Sequence, residues 1–233
     1  MSIKAVLFDL DDTLFDHLAS AKAGLQAFTR HLGLAPSNDL AGDWFTIERA
    51  NYDRFLAKEL TFQEQRRERL RQFLPLAGYA APAGEEDLNE LFAVYLECYE
   101  RSWQAFPDAG PCLQALRDGG VLTAVISNGN HAQQQAKLRN IGLESALDAI
   151  FTSESIGHPK PMPEAFLKPC EALSVLPVHA LYVGDNFRVD IEGARNAGLQ
   201  AVHLQRGGTP ERGTLQNLKE LTLLMSATAV PRA

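Results

Sequence analysis

Between residues 5 and 16 the chain passes abruptly from an apolar run, Ala5-Val6-Leu7-Phe8, to four carboxylates in eight residues: Asp9, Asp11, Asp12 and Asp16. The apolar half reads as a strand buried on both faces, the pattern of a parallel sheet. A protein core does not accept the acidic half unpaired. The acids must therefore lie at the carboxyl end of that strand, where open α/β sheets carry their ligands. Carboxylates so crowded repel unless a cation is shared among them, which makes a metal site the economical expectation.

One residue separates Asp9 from Asp11, so both side chains can face the same side while Leu10 turns back into the sheet. Two carboxylates in different surroundings can divide labour, one attacking an electrophile and the other trading protons. A second reading competes at this point. Asp11, Asp12 and Thr13 equally suit a turn or a helix cap, and the rest of the chain must decide between them.

With 45% hydrophobic residues in 233, the chain can bury one large core, or a core and a smaller module. The formal net charge of −7 argues against nucleic-acid and anionic-membrane surfaces, and a phosphate substrate on an acidic protein calls for a cation. Cys98, Cys112 and Cys170 lack the spacing of a disulfide framework or a zinc site and read as buried thiols in a reducing compartment. Neither a leader-like segment nor a membrane-length apolar run of about 18 residues is visible. The expectation is a cytoplasmic protein, a monomer or small homo-oligomer, with no nucleic acid or membrane among its partners.

From Leu18 to Trp103 the pattern is helical. Leu18, Leu25, Phe28 and Leu32 mark a first segment; Trp44, Ile47, Tyr52 and Phe55 a second; Phe62, Leu70 and Phe73 a third; Leu88, Leu91, Phe92, Tyr95 and Tyr99 a fourth. Breaks fall at Gly33 to Asn38, near Leu60-Thr61, and from Pro75 to Gly84. Aromatics at this spacing are expected in a bundle core, and the segment Gln65 to Arg71, with Glu64 and Glu68 among its arginines, reads mainly as a solvated face. The organisation expected is a catalytic α/β core over residues 1–15 and 105–233, interrupted by a helical insertion over 16–104.

Beyond Gly110 strands and helices alternate. Strands are expected at 121–126, 149–152, 180–183 and 201–204, which with the first makes five, joined mostly by helical crossovers. Three of the apolar strands end in polar residues: Asp9 and Asp11, then Ser127 and Asn128, then Asp185 and, five residues later, Asp190. A rigid loop, Gly157 to Pro163, carries Lys160 between prolines. One strand ending in an acid is commonplace. Parallel strands bring all their carboxyl ends to one edge, however, so three such ends and a lysine point to one cleft. Asp9 and Asp185 offer hard oxygen ligands for Mg²⁺; the Ser127 hydroxyl, the Asn128 backbone N–H and the Lys160 ammonium offer donors to an oxyanion. The set suits phosphoryl transfer.

Asp9-Leu10-Asp11-Asp12-Thr13, Ser127-Asn128, Lys160 and Gly184-Asp185 with Asp190 resemble, in order and spacing, the four motifs of the haloacid dehalogenase superfamily of phosphohydrolases. The resemblance implies a Rossmann-like parallel core with an inserted helical-bundle cap that closes over it and selects the leaving group. It implies Asp9 as the nucleophile that forms an aspartyl phosphate, and Asp11 as general acid/base whose backbone carbonyl also ligates Mg²⁺. Ser127, Asn128 and Lys160 are implied as phosphate-binding groups, Asp185 as a metal ligand, and Asp190 as support for the metal shell or the lysine. Phe15-Asp16 and the run from Gly157 through Lys160 to Phe166 resemble the subgroup of nucleotidases and sugar-phosphate phosphatases.

The function expected is therefore Mg²⁺-dependent hydrolysis of a small phosphorylated metabolite, with a nucleoside monophosphate first and a sugar phosphate or phosphoglycolate second. Related 2-haloacid dehalogenases resemble the chain less, because a halide needs no proton on leaving and the second acid, here Asp11, is generally absent from them. A non-catalytic binding module would be expected to lack one of the motif residues, and none is missing.

Overall fold

A computed structural model describes residues 2–35, 38–207, 209 and 211–228. The chain divides into two compact units: Met1–His17 with Gln104–Ala233, and Leu18–Trp103. In chain order the elements are β1 (Ala5–Phe8), helices α1 (His17–His31), α2 (Asn38–Leu56), α3 (Phe62–Leu76), α4 (Glu85–Arg101) and α5 (Ala109–Asp118), then β2 (Leu122–Ser127), α6 (His131–Asn140), β3 (Ala149–Thr152), α7 (Ser153–Ile156) and α8 (Glu164–Ala172). There follow β4 (Ala180–Gly184), a π-helical turn (Phe187–Glu192), α9 (Gly193–Asn196), β5 (Gln200–Leu204), β6 (Thr214–Leu215) and α10 (Leu218–Thr228). Among the described residues no helix is long and apolar enough to cross a membrane.

The first unit is built on one sheet of order β3-β2-β1-β4-β5-β6, in which every neighbouring pair is parallel. All four residues of β1 are buried, because helices cover both faces of a parallel sheet. Ala5 and Leu7 share a core with Ala124, Ile126, Ala180 and Tyr182 of the adjacent strands and with Phe166 of α8. Register decides what happens at the edge. Phe8 lies level with Val125 and with Val183, so Asp9 emerges beside the last residues of β2 and β4. The strand order reverses direction between β1 and β4, the place where such sheets open a crevice.

The fifth expected strand is followed by a sixth. Thr214–Leu215 pairs with His203 and Leu204 where the sequence suggests the start of a helix, and α10 begins only at Leu218. Two residues carry no readable alternation, which is why this strand is silent in the sequence.

The second unit is a four-helix assembly with its own core of Leu25, Phe28, Trp44, Leu70, Phe73, Leu88, Phe92 and Tyr95. Trp44 Nε1 donates to the Tyr95 hydroxyl at 3.2 Å. Thr61 begins α3 with a capping box: its hydroxyl accepts from the Glu64 N–H while Glu64 accepts from the Thr61 N–H. Leu18, Tyr52 and Phe62, which follow the same spacing, are exposed, so the apolar stripe is wider than the core it serves. The arginine-rich stretch departs from expectation as well. Arg69 is buried, with its guanidinium 4.6 Å from the centre of the Trp44 ring and 2.8 Å from Glu48. Part of the Gly33–Asn38 break, Pro36 and Ser37, lies outside the described residues.

Candidate active site

β1 ends at Phe8, and the Asp9 N–H still donates to the Val183 carbonyl at 2.9 Å, so Asp9 is held in the frame of the sheet. The next residues curl tightly. The N–H groups of Thr13, Leu14 and Phe15 all donate to the Leu10 carbonyl, and the Asp12 N–H donates to that of Phe15. Asp12 takes φ of 59°, a left-handed conformation that Asp tolerates better than most residues. The turn reading of this segment and the acid-site reading thus fall on the same loop.

Asp9 and Lys160 form the centre. Lys160 Nζ donates to Asp9 Oδ1 at 2.6 Å, to Asp190 Oδ1 at 2.7 Å and to the Tyr182 hydroxyl at 2.9 Å, which engages all three of its protons. Lys160, Asp9 and Asp190 are all buried, and Tyr182 is wholly so. Burial alone would lower the lysine's pKa; Asp9 and Asp190 reverse that and raise it, so the side chain is an ammonium. The Asp190 Oδ2 accepts from the Asn186 N–H at 3.1 Å. A Cβ on Gly184 would meet that carboxylate at 2.5 Å, which explains why β4 ends in glycine.

Asp9, Asp185 and Asp190 each offer an oxygen, and these lie within 4.8 Å of one another. Three carboxylates against one ammonium leave an excess of two negative charges in a largely buried place. The physical cost is legible in two acids. Asp9 is pushed up to about 7 by burial, which Lys160 only partly offsets and to which Asp190 adds. Asp185 is pushed up to about 6 by burial and by Asp190 and Asp12. A hard divalent cation with an oxygen shell is the group that such a donor set fits.

The sequence-predicted phosphate ligands lie on the same edge. Ser127 is the last residue of β2 and is buried. Its hydroxyl accepts from Gln134 Nε2 at 3.0 Å, leaving its own proton to donate elsewhere. The side chain of Asn128 also brackets the Lys160 peptide, accepting from the N–H at 2.8 Å and donating to the carbonyl at 2.9 Å. The loop that carries the lysine is thereby fastened to the end of β2.

Asp11 stands apart from the carboxylate cluster. Its side chain, 39% exposed, accepts from Lys137 Nζ at 2.6 Å. Lys137 is buried, with its ammonium 4.8 Å from the centre of the Phe15 ring. Lys137, Gln134 and Tyr182 are absent from the sequence-based set. The i,i+3 spacing of Gln134 and Lys137 on the helix directly after Ser127-Asn128 is the one signal that could have flagged the first two. Tyr182 is indistinguishable in sequence from any core aromatic of a strand.

The haloacid dehalogenase-like hydrolase family model matches residues 3–198. A glyceraldehyde 3-phosphate phosphatase of Methanopyrus kandleri is 31% identical over 88% of this chain and 85% of its own length. A phosphoserine phosphatase of Thermus thermophilus is 30% identical over 90% of this chain and 91% of its own. Among solved structures, the magnesium-bound HAD-hydrolase YfnB of Bacillus subtilis superposes with a TM-score of 0.75 at 26% identity, covering 97% of this chain and 99% of that one. Fold, sheet-edge acids and the family match over residues 3–198 agree: the chain belongs to the haloacid dehalogenase-like hydrolase family.

Proposed function

We propose that this protein hydrolyses a small phosphomonoester through an aspartyl-phosphate intermediate, with Asp9 as nucleophile and Asp11 as general acid/base. The observation that carries the reading is the division between the two acids. Asp9 is buried against Lys160 within the carboxylate cluster, whereas Asp11, two residues on, is partly exposed and outside it. An Asp9 oxygen attacks phosphorus and the ester P–O bond breaks, while Asp11 delivers its proton to the departing alkoxide. Asp11 then takes a proton from water as that water attacks phosphorus, breaking the Asp9 O–P bond and releasing inorganic phosphate. As Asp9 gives up its charge in the first step, the Lys160 donor that faced it turns to a phosphoryl oxygen, joined by the Ser127 hydroxyl and the Asn128 N–H.

Mg²⁺ would be held by Asp9 and Asp185, with the Asp11 backbone carbonyl completing the protein's share, and would neutralise charge on the phosphoryl oxygens. Asp190 is support rather than ligand in this reading, since Lys160, Tyr182 and the Asn186 N–H already occupy its oxygens.

For the leaving group we place a small sugar phosphate, such as a triose phosphate, ahead of a nucleoside monophosphate. Most of the helical unit's aromatics that could stack on a base, Phe28, Trp44, Phe73, Phe92 and Tyr95 among them, are consumed by the bundle core, although Tyr52 and Phe62 are exposed. The similarity to a glyceraldehyde 3-phosphate phosphatase supports the sugar. The test is phosphate release from triose and hexose phosphates, phosphoserine, phosphoglycolate and nucleoside monophosphates, compared by kcat/KM. Asp9→Asn should abolish turnover while the protein stays folded, and EDTA should remove activity that Mg²⁺ restores. Near-wild-type turnover in Asp9→Asn would end the nucleophile assignment; a clear preference for nucleotides would reverse the substrate ranking and leave the chemistry intact.

A further inference from the structure

Arg206 lies two residues past β5, far in sequence from every motif discussed so far, yet it reaches the loop that carries Asp11. Its Nη2 donates to the Thr13 carbonyl at 2.8 Å. Thr13 is completely buried, so this carbonyl has no recourse to water. The same guanidinium grips Asp108 with both terminal nitrogens, Nη1 to Oδ2 at 3.1 Å and Nη2 to Oδ1 at 2.9 Å, and lies 3.6 Å from the centre of the Phe106 ring. Asp108 in turn accepts from the Leu218 N–H at 2.8 Å, at the start of α10.

These contacts decide between two uses of a buried arginine beside an acidic site. An arginine that recognises a substrate anion keeps part of its donor fork open. Here both terminal nitrogens are engaged and one face is stacked, and the one donor left without a partner, Nε, is itself buried, so the group is committed to the protein. The loop from Leu10 to Phe15 is held from within by three N–H groups converging on the Leu10 carbonyl, and from without by Arg206 on the Thr13 carbonyl and by the Phe106 N–H on the Leu14 carbonyl at 2.9 Å. We infer that Arg206, locked by Asp108, is a positioning residue that fixes the Asp11-bearing loop relative to the sheet edge. The inference rests on the phosphatase reading of Asp9 and Asp11 for its kinetic consequence, but not for its structural one. Lysine would not replace it, because a point charge cannot make the bidentate pair, the stack and the carbonyl bond together.

The experiment compares wild type, R206Q, R206K and a core control, V175A, whose side chain is buried in the cluster that holds Phe166 and Cys170, a cluster that does not include Phe106. Hydrogen exchange of the peptide spanning residues 10–16 is read by mass spectrometry, beside steady-state kinetics on p-nitrophenyl phosphate and a thermal melt. Both Arg206 variants should exchange the peptide markedly faster and lose roughly 10- to 100-fold in kcat with KM little changed, the pattern of a misplaced catalytic group. V175A should lower the melting temperature without either effect. Wild-type exchange and kcat in both Arg206 variants would overturn the inference, as would an equal kcat loss in V175A at a matched melting temperature. If R206Q does not fold, R206K, which keeps the charge, carries the comparison. If the wild-type enzyme turns over no phosphomonoester, the phosphatase reading fails and the exchange data alone judge the loop: unchanged exchange still sinks the inference, and faster exchange sustains it.

Discussion

A single lysine with three committed protons makes the centre of this site rigid. Lys160 cannot move without releasing Asp9, Asp190 or Tyr182, and Asp190 cannot move toward β4 because Gly184 leaves room for its carboxylate and nothing more. Gly184→Ala is therefore expected to displace Asp190, loosen Lys160 and destabilise the first unit by about 1–3 kcal/mol, with phosphate release falling further than the melt alone accounts for. Denaturant titration and turnover on the same sample check this; unchanged activity would show that Asp190 can retreat without cost. Asp9, Ser127, Asn128, Asp185 and Asp190 were legible in the sequence as candidates because three apolar strands, not one, end in polar residues and a parallel sheet brings those ends to one edge. Lys137, Tyr182 and Arg206 were not. Lys137 sits in a polar helix where a lysine reads as solvated, Tyr182 in an apolar strand where it reads as core, and Arg206 in a loop whose partners lie about a hundred or more positions away.

At the level of elements, the helical unit shows how little clearance its packing leaves. A Cβ on Gly24 of α1 would come within 2.6 Å of the Tyr99 Cα on α4, a clash with backbone that no rotamer relieves. Gly24→Ala should part these helices and cost about 1–3 kcal/mol, appearing as faster hydrogen exchange in α1 and α4 while the peptides of β1 and β2 hold their wild-type rates. Equal exchange throughout the chain would mean that the two cores do not melt separately. The four helices were readable from apolar spacing and from breaks such as Thr61, because caps and periodicity are local signals. Arg69 escapes such a reading since its neighbours in sequence are charged while its neighbours in space, Trp44 and Glu48, belong to another helix. β6 escapes it for the complementary reason: it exists only by pairing with β5.

Across the whole molecule, Asp108 ties the start of α5 to Arg206 and to the start of α10, and its protonation should be felt as global stability. Burial would raise its pKa, but the Arg206 hydrogen bonds and the Leu218 N–H outweigh burial and hold it below the usual carboxylate value. A group depressed in the folded state contributes stability that is complete above its unfolded pKa, about 3.9, and is lost as pH falls through the lower folded value. Wild type should therefore exceed Asp108→Asn in stability at pH 7, with the gap closing as pH falls below about 4. Denaturation of both proteins from pH 7 to pH 3 measures it, and a gap independent of pH would assign the difference to packing instead. The strand order has its own consequence for how the protein comes into being. β1 leaves the ribosome first, but its two neighbours, β2 and β4, are delivered only after the entire helical unit has been made. That unit has a core of its own and can settle early, while Ala5-Val6-Leu7-Phe8 waits as an apolar strand with both edges bare. Among the described strands, the one that leads into Asp9 thus waits longest between its own synthesis and the arrival of its partners, and for that interval the nascent chain depends on whatever keeps such a strand from finding another like it.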